Sequence, residues 1–218
     1  MQGGLFYAYA KQLTENWDGR YLIIFADRAT ADEWWRAVYD SVASGYQRFR
    51  EVKRVSPQFY THDPASGGNI MQTINDQRCA RRFVHRVIFS SLYDMVGRVY
   101  GVIPPLNYTD HISGRAYFIR STLRPNQYWH YDGKNIVISS THQTKFTVSA
   151  QSARYPRADI DGLVMIHNDD VVISVRDTTI TVTGTSIPFA HFDGGFSTGE
   201  GGELIHTGDG YGDSWELV

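Results

Sequence analysis

The residue types best suited to chemistry gather at Tyr128-Trp129-His130-Tyr131-Asp132-Gly133, where three aromatics, a histidine and a carboxylate fall within five residues. In an extended chain successive side chains alternate faces, so Tyr128, His130 and Asp132 point one way while Trp129 and Tyr131 point the other. One face then suits a core. The other offers a ring for stacking beside a proton carrier and a carboxylate. Arg120 ends the run Tyr117-Phe118-Ile119-Arg120, and a short loop of Leu123 to Asn126 separates this strand from 127–131, which places Arg120 near His130. A second dense polar stretch is Asn107 to Gly114, where Asp110 and His111 adjoin. The plain alternative for the first stretch is packing by Trp129 and Tyr131 and a hairpin turn at Asp132-Gly133.

These residues need a scaffold, and hydrophobic periodicity predicts an α+β one. Residues 4–11 and 21–27 read as a hairpin turned at Asp18-Gly19. Thr30 with Glu33 forms a capping box, and Trp34, Trp35, Val38, Tyr39 and Val42 continue at helical spacing to Gly45. Trp34-Trp35 fits the buried side of that helix better than a binding platform. From Arg48 to Tyr60 the pattern is β, interrupted at Pro57 by an edge strand or bend. His62-Asp63 is either an acid–base pair or the turn that opens before Pro64. A short helix over 69–81 ends in Arg78, Arg81 and Arg82, a weak phosphate-binding signal, since arginine is favourable at any helix C-terminus. Residues 84–92 and 98–103 suggest a further hairpin.

From Arg115 onward every periodic run is short and β-like: 115–122, 127–131, 135–140, 144–149, 162–166, 171–175 and 178–183. Turn signals at 132–135 and 167–170 separate them, as in an antiparallel sandwich or barrel. The glycine-rich acidic tail from Asp193 reads as an irregular wrap, pinned by Trp215 and Leu217. The expected organisation is an α+β part over 1–108 and an antiparallel β-rich part over 109–218, with a shared core left open because no Pro/Gly/Ser linker divides them.

Composition narrows the function classes. Net charge is −2 over 218 residues, but residues 1–124 carry 16 Lys/Arg against 11 Asp/Glu and residues 125–218 carry 5 against 12. A basic N-terminal surface could face phosphates. Cys79 is the only cysteine, which excludes an intrachain disulfide or a thiolate metal cluster and suits a reducing compartment. The first ten residues lack a basic leader, and no run nears the roughly 20 apolar residues that span a bilayer, so a cytoplasmic protein without a membrane partner is expected. The sequon Asn107-Tyr108-Thr109 is then a chance match. No complete metal, phosphate-binding or nucleophile motif occurs.

The segments Gly4 to Lys11, Tyr21 to Val38, Val55 to Asp63, Ile103 to Gly114 and Tyr128 to Ser139 resemble a group of small mushroom proteins from the Agaricomycetes that includes the ledodin-type ribosome-inactivating proteins. The likeness covers most of residues 4–140. It implies an rRNA N-glycosylase that removes one adenine from the sarcin-ricin loop, a reaction without cofactor or metal. It carries over no catalytic residues, so roles follow from the chemistry. An oxocarbenium-like sugar needs a carboxylate, Asp132 or Asp110. The departing adenine needs a cation or acid, Arg120, His130 or His111. An extruded base needs an aromatic ring, Tyr128 or Trp129, and alternation lets only one of them face the site. Arg78, Arg81 and Arg82 would steer the RNA backbone. The rival is a non-enzymatic carbohydrate-binding defence lectin, for which exposed aromatics and polar loops suffice.

Overall fold

A computed structural model describes residues 4–14, 19–92, 108–151, 162–175, 178–180, 186–208 and 210–218. The chain is α+β and divides into two compact units, Met1–Asp110 and His111–Val218. Buried apolar residues gather in two clusters, one within each unit. Divided at Asp110, unit 1 holds 13 Lys/Arg against 11 Asp/Glu and unit 2 holds 8 against 12. The N-terminal basic bias is therefore weaker than the sequence reading has it, because Arg115, Arg120 and Arg124 belong to unit 2.

Unit 1 is built on a five-stranded sheet in the order β3-β4-β1-β2-β5. Strand β1 (Phe6–Gln12) and β2 (Tyr21–Phe25) form the expected antiparallel pair, with Phe6 opposite Phe25 and Ala10 opposite Tyr21. Their turn lies on residues mostly outside those described. Phe6, Ala8 and Ala10 alternate inward and are buried, which is why this run forms a strand with one dry face. Strands β3 (Lys53–Ser56) and β4 (Phe59–His62) turn at Pro57-Gln58, so the proline marks a hairpin and β3 lies at the sheet edge. Strand β4 runs parallel to β1, and β5 (Val87–Ser91) pairs with β2. The partner expected for β5 at 98–103 lies outside the described residues.

Helix α1 (Arg28–Ala43) covers the dry face of this sheet, burying Ala31, Trp34, Ala37 and Val38 at the expected spacing. Its cap is Asp27 rather than Thr30: the Asp27 carboxylate accepts from the Thr30 backbone N–H at 2.7 Å and from its hydroxyl at 2.6 Å. Asp precedes Thr30 by three residues and competes for the same orphan donors, and the longer helix results. Trp34 is fully buried and donates its indole N–H to Thr73. Asp63 caps a one-turn helix, α2 (Pro64–Gly67), which is the turn reading of His62-Asp63. The helix expected over 69–81 is instead two 3-10 turns, Ile70–Asn75 and Arg81–Phe83, separated where Asp76 binds the backbone of Arg78.

Unit 2 is a curled antiparallel sheet. Strands β6 (Arg115–Ser121), β7 (Tyr128–Tyr131), β8 (Ile136–Ser139), β9 (Lys145–Gln151), β10 (Asp170–Val175) and β11 (Thr178–Ile180) follow the predicted runs. Over 162–166 there is only an isolated bridge, Ile112 to Val164. The tail is not an irregular wrap. After the short β12 (Ile187–Pro188), it supplies β13 (Asp193–Thr198), β14 (Leu204–His206) and β15 (Asp213–Leu217), with β15 inserted between β6 and β13. Glycines hid these strands: Gly194 has φ +95°, a backbone state ordinary strand residues avoid, and it lies in a register shift between β13 and β15.

Candidate active site

Asp110 lies in unit 1, in a cluster that its neighbours in sequence do not reveal. Arg54 projects from β3 to the helix side of the sheet, its side chain only 2% exposed. Its Nε and Nη2 donate to Asp110 Oδ1 at 3.0 and 2.5 Å, Nη2 also donates to Asp32 Oδ1 at 2.5 Å, and Nη1 donates to the Tyr60 hydroxyl at 3.2 Å. Arg28 closes the group, donating to Asp32 Oδ2 at 3.0 Å and to the Thr109 carbonyl at 2.9 Å. The same guanidinium lies 5.4 Å from the ring centre of Tyr108. Burial pulls the Arg54 guanidinium down, but the carboxylates of Asp32 and Asp110 outweigh it and hold it above the ordinary arginine range. Burial likewise pushes the Tyr60 phenol up, so it stays protonated.

Access separates these residues into two groups. Arg54, Tyr60 and Asp32 are sealed, whereas the Asp110 and Arg28 side chains are 21% and 23% exposed and Tyr108 is half exposed. The surface thus presents a carboxylate, a cation and a ring, fixed from behind by a second arginine and a second carboxylate. Arg54, Asp32, Arg28, Tyr60 and Tyr108 were not identified from sequence. One signal was readable: Asp32 falls beside Ala31 on the buried stripe of α1, and a carboxylate there requires a cation from another element.

Arg78, Arg81 and Arg82 are exposed in unit 1. Arg78 packs 4.2 Å from the centre of the Tyr46 ring, Arg82 lies over Phe83, and Arg81 reaches Asn75 at 3.4 Å. His62 is fully buried with Nε2 against the Gly19 carbonyl at 2.7 Å, and burial depresses its pKa, so it is a neutral core residue.

The remaining predicted residues lie in unit 2 and divide between core and surface. Trp129 is fully buried among Phe146, Phe192, Phe196 and Trp215 and cannot stack on a substrate base. Asp132 is a turn residue: its Oδ1 accepts from the backbone N–H of Asn135 at 2.7 Å and of Lys134 at 2.8 Å, which lowers its pKa. Asp132 thus fills the turn role that the Asp132-Gly133 pair predicts, through one of its two carboxylate oxygens. His111 packs against Tyr117 and Phe189.

Arg120 pairs in register with Tyr128 and makes an ion pair with Glu216 at 2.8 Å. Glu216 is the main reason that its guanidinium is held above the usual range, with Tyr128 adding to it. His130, two residues along β7, is not bonded to Arg120. Its Nδ1 meets the Thr144 hydroxyl at 3.0 Å, and its ring lies 5.3 Å from that of His142. The strands thus bring Arg120, Tyr128 and His130 to one outer face, where Phe118 and Lys145 join them; the carboxylates close to them are Glu216, paired with Arg120, and Asp132, which lies close enough to His130 for that histidine to help lower its pKa. A second histidine pair, His191 and His206, meets through Nδ1 and Nε2 at 2.8 Å. No group of three or more metal-ligating side chains occurs among the described residues. Nor is any described helix long and apolar enough to cross a membrane.

Comparison with protein-family models, with curated proteins and with solved structures finds no match to this chain.

Proposed function

We propose that the protein is an rRNA N-glycosylase of the ribosome-inactivating type, acting through the exposed edge of the Asp110 cluster. The observation that supports this is the placement of one accessible carboxylate, one accessible guanidinium and one accessible aromatic ring together, backed by buried charge. A scaffold alone has little use for such a group, because buried ion networks are weak stabilisers compared with apolar packing of the same volume. Strongly perturbed side chains gather where chemistry is done.

In this reading Tyr108 stacks on an extruded adenine and Arg28 sits beside the base. The bond from the ribose C1′ to the adenine N9 breaks with its electron pair leaving on the base, whose developing charge Arg28 offsets. Asp110 faces the oxocarbenium-like sugar and takes a proton as water adds its oxygen to C1′. The proton passes on to the departing adenine. Arg54 and Asp32 are positioning residues that fix Asp110 and Arg28. Arg78, Arg81 and Arg82 serve the RNA backbone electrostatically. The lone cysteine accords with action in a reducing, cytoplasmic compartment.

The test is incubation of purified protein with ribosomes followed by aniline, which cleaves the RNA at an abasic ribose. A discrete released rRNA fragment is expected, and its absence at high protein dose rejects the reading. One observation favours a second reading, a carbohydrate-binding module: Phe118 and Tyr128 lie half-exposed on the outer face of unit 2 beside Arg120 and His130. Glycan-array binding lost in Tyr128→Ala, without ribosome damage, would select it.

A further inference from the structure

Two histidines of unit 2 serve neither the Asp110 cluster nor the outer face of β6 and β7. His191 lies in a 3-10 turn, Phe189–Phe192, that leads directly into β13, and His206 ends β14. Their ring nitrogens face each other, His191 Nδ1 to His206 Nε2 at 2.8 Å, and both side chains are partly buried. One glycine makes this contact possible. A Cβ on Gly195 would stand 2.5 Å from the Cβ of His191 and 2.8 Å from its Cα, so only glycine lets the turn settle on β13. The Gly195 carbonyl also accepts from the backbone N–H of Thr207 at 2.8 Å and of Gly208 at 3.3 Å, which ties down the same end of β14. There the His206 ring covers its register partner Phe196, with ring centres 5.1 Å apart, and Phe196 is fully buried against Trp129. Strand β14 has three residues and ends the strand order of its sheet, so few other bonds hold this end. Its opposite end is held separately, by Gly199 donating to the Glu203 carbonyl and Ile138 donating to that of Gly202.

A bond between two ring nitrogens needs one proton and one lone pair. Two neutral rings supply these, and so do one neutral ring and one charged ring. Two charged rings do not, because each facing nitrogen then carries its own proton and two unit charges meet across 2.8 Å. The pair therefore stays bonded until the second proton arrives. The ionisable groups on the elements packed around it are Asp193 on β13, Asp213 and Glu216 on β15, Glu203 next to β14, and His167 and Asp169, whose carbonyls accept from Ala190 and Phe189; β8 carries none. The carboxylates have other neighbours. Asp193 accepts from Ser214, Asp213 from Thr198 and Asp169 from the Ile166 N–H, Glu216 pairs with Arg120, and the Glu203 carboxylate lies against Gly199 and Gly201. Among the described residues neither ring forms an ion pair. Burial, and after it His191, lowers the pKa of His206 below the ordinary 6.5, so the unfolded chain takes up the second proton more readily than the folded one. The stability of the pair is complete above about pH 6.5 and is lost as pH falls toward the depressed folded value.

We infer that His191 and His206 form an acid-released clasp, which pins the end of β14 to the turn before β13 at neutral pH and lets that end lift, baring Phe196, once both rings are charged. The opening is local. It frees His206, Thr207 and Gly208 and leaves the Gly199–Glu203 turn in place, because no bond of that turn involves either imidazole.

The experiment is amide hydrogen exchange of the full chain by mass spectrometry at pH 7.5 and pH 5, with rates corrected for the intrinsic effect of pH, alongside NMR titration of the histidine ring nitrogens. In the wild type, protection of peptides over 204–208 is expected to fall by about tenfold or more at pH 5, while peptides over β9 keep theirs. The two rings should titrate in coupled steps, the second below the ordinary histidine range. The double variant His191→Asn/His206→Gln places an uncharged amide at each facing nitrogen, and its protection should be the same at both pH values. His206→Gln alone serves should the double variant fail to fold, as judged by circular dichroism, since a single charged ring can still bond to the amide. His62→Gln should leave the local loss unchanged, which separates the clasp from general acid destabilisation. The proposal is overturned by unchanged wild-type protection at pH 5, by rings that titrate independently, by an equal loss in the amide variants, or by a loss spread evenly over unit 2.

Discussion

In unit 1, Arg54 is sealed between Asp32, Asp110 and the Tyr60 hydroxyl; in unit 2, Arg120 makes one ion pair with Glu216 at the surface, with side chains 32% and 41% exposed. The residue types are the same and the settings are opposite. A buried guanidinium fixes the carboxylates around it, since each displaced bond leaves a charge without water. An exposed one has solvent as an alternative partner and fixes little. Clustering of polar residues along the sequence, which drew attention to 128–133, therefore selected the looser of the two groups. Clustering in space selects the tighter one.

This contrast can be broken first by activity. Asp110→Asn is expected to lower adenine release from ribosomes by roughly 10²-fold or more, whereas Asp132→Asn should leave it unchanged, because an asparagine oxygen still accepts from Lys134 and Asn135. Equal losses in both, measured by fragment yield after aniline, would remove the distinction between the sites. Stability sharpens it next. Replacing Arg54 by Met should cost about 3–5 kcal/mol, as loss of one partner in a buried ion network does, and Arg120→Met under about 1 kcal/mol, read from urea unfolding. Trp129→Ala should cost a similar 3–5 kcal/mol from the cavity it leaves. Its neighbour Tyr128→Ala should cost far less.

Acid titration gives a smaller effect. Burial lowers the His62 pKa below its ordinary 6.5, so the unfolded chain binds the proton more readily than the folded one. The stability associated with neutral His62 is complete above about pH 6.5 and is lost as pH falls toward the depressed folded value. His62→Gln should flatten the change in urea midpoint between pH 7.5 and 5. The smallest effect is at Cys79, whose thiol burial pushes up to about 11. It should label slowly with a disulfide reagent at pH 8 and rapidly once unfolded.

Periodicity made the secondary structure legible where one face of an element is dry. Trp34 and Val38 marked α1, and Phe146, Val148 and Ala150 marked β9, because burial imposes the spacing. Two kinds of element escaped it. The 3-10 turns over 70–83 carry apolar residues at intervals close to helical ones and differ by hydrogen bonds to Asp76 that spacing does not encode. Strands β13 to β15 are punctuated by glycines that read as loop. Of the candidate site, Asp110 was visible as a carboxylate in a polar loop. Its partners were not, since Arg54 lies 56 residues away and meets it only through the β3–β4 hairpin. Asp132 was legible as a turn residue from the Asp-Gly pair, but spacing does not tell a turn carboxylate from a catalytic one until its acceptor oxygens are traced.

Strand β15 bears on how the protein is made. It lies between β6 and β13, joined to β6 across 96 residues by the Arg120–Glu216 bond. As the chain leaves the ribosome, β6 and β13 are synthesised before β15, the strand that lies between them. Unit 2 can close its sheet only after residue 217 has emerged. Until then the place between β6 and β13 is unfilled, and a long loop must be closed at the last step. In unit 1 all five described strands have been synthesised by Ser91.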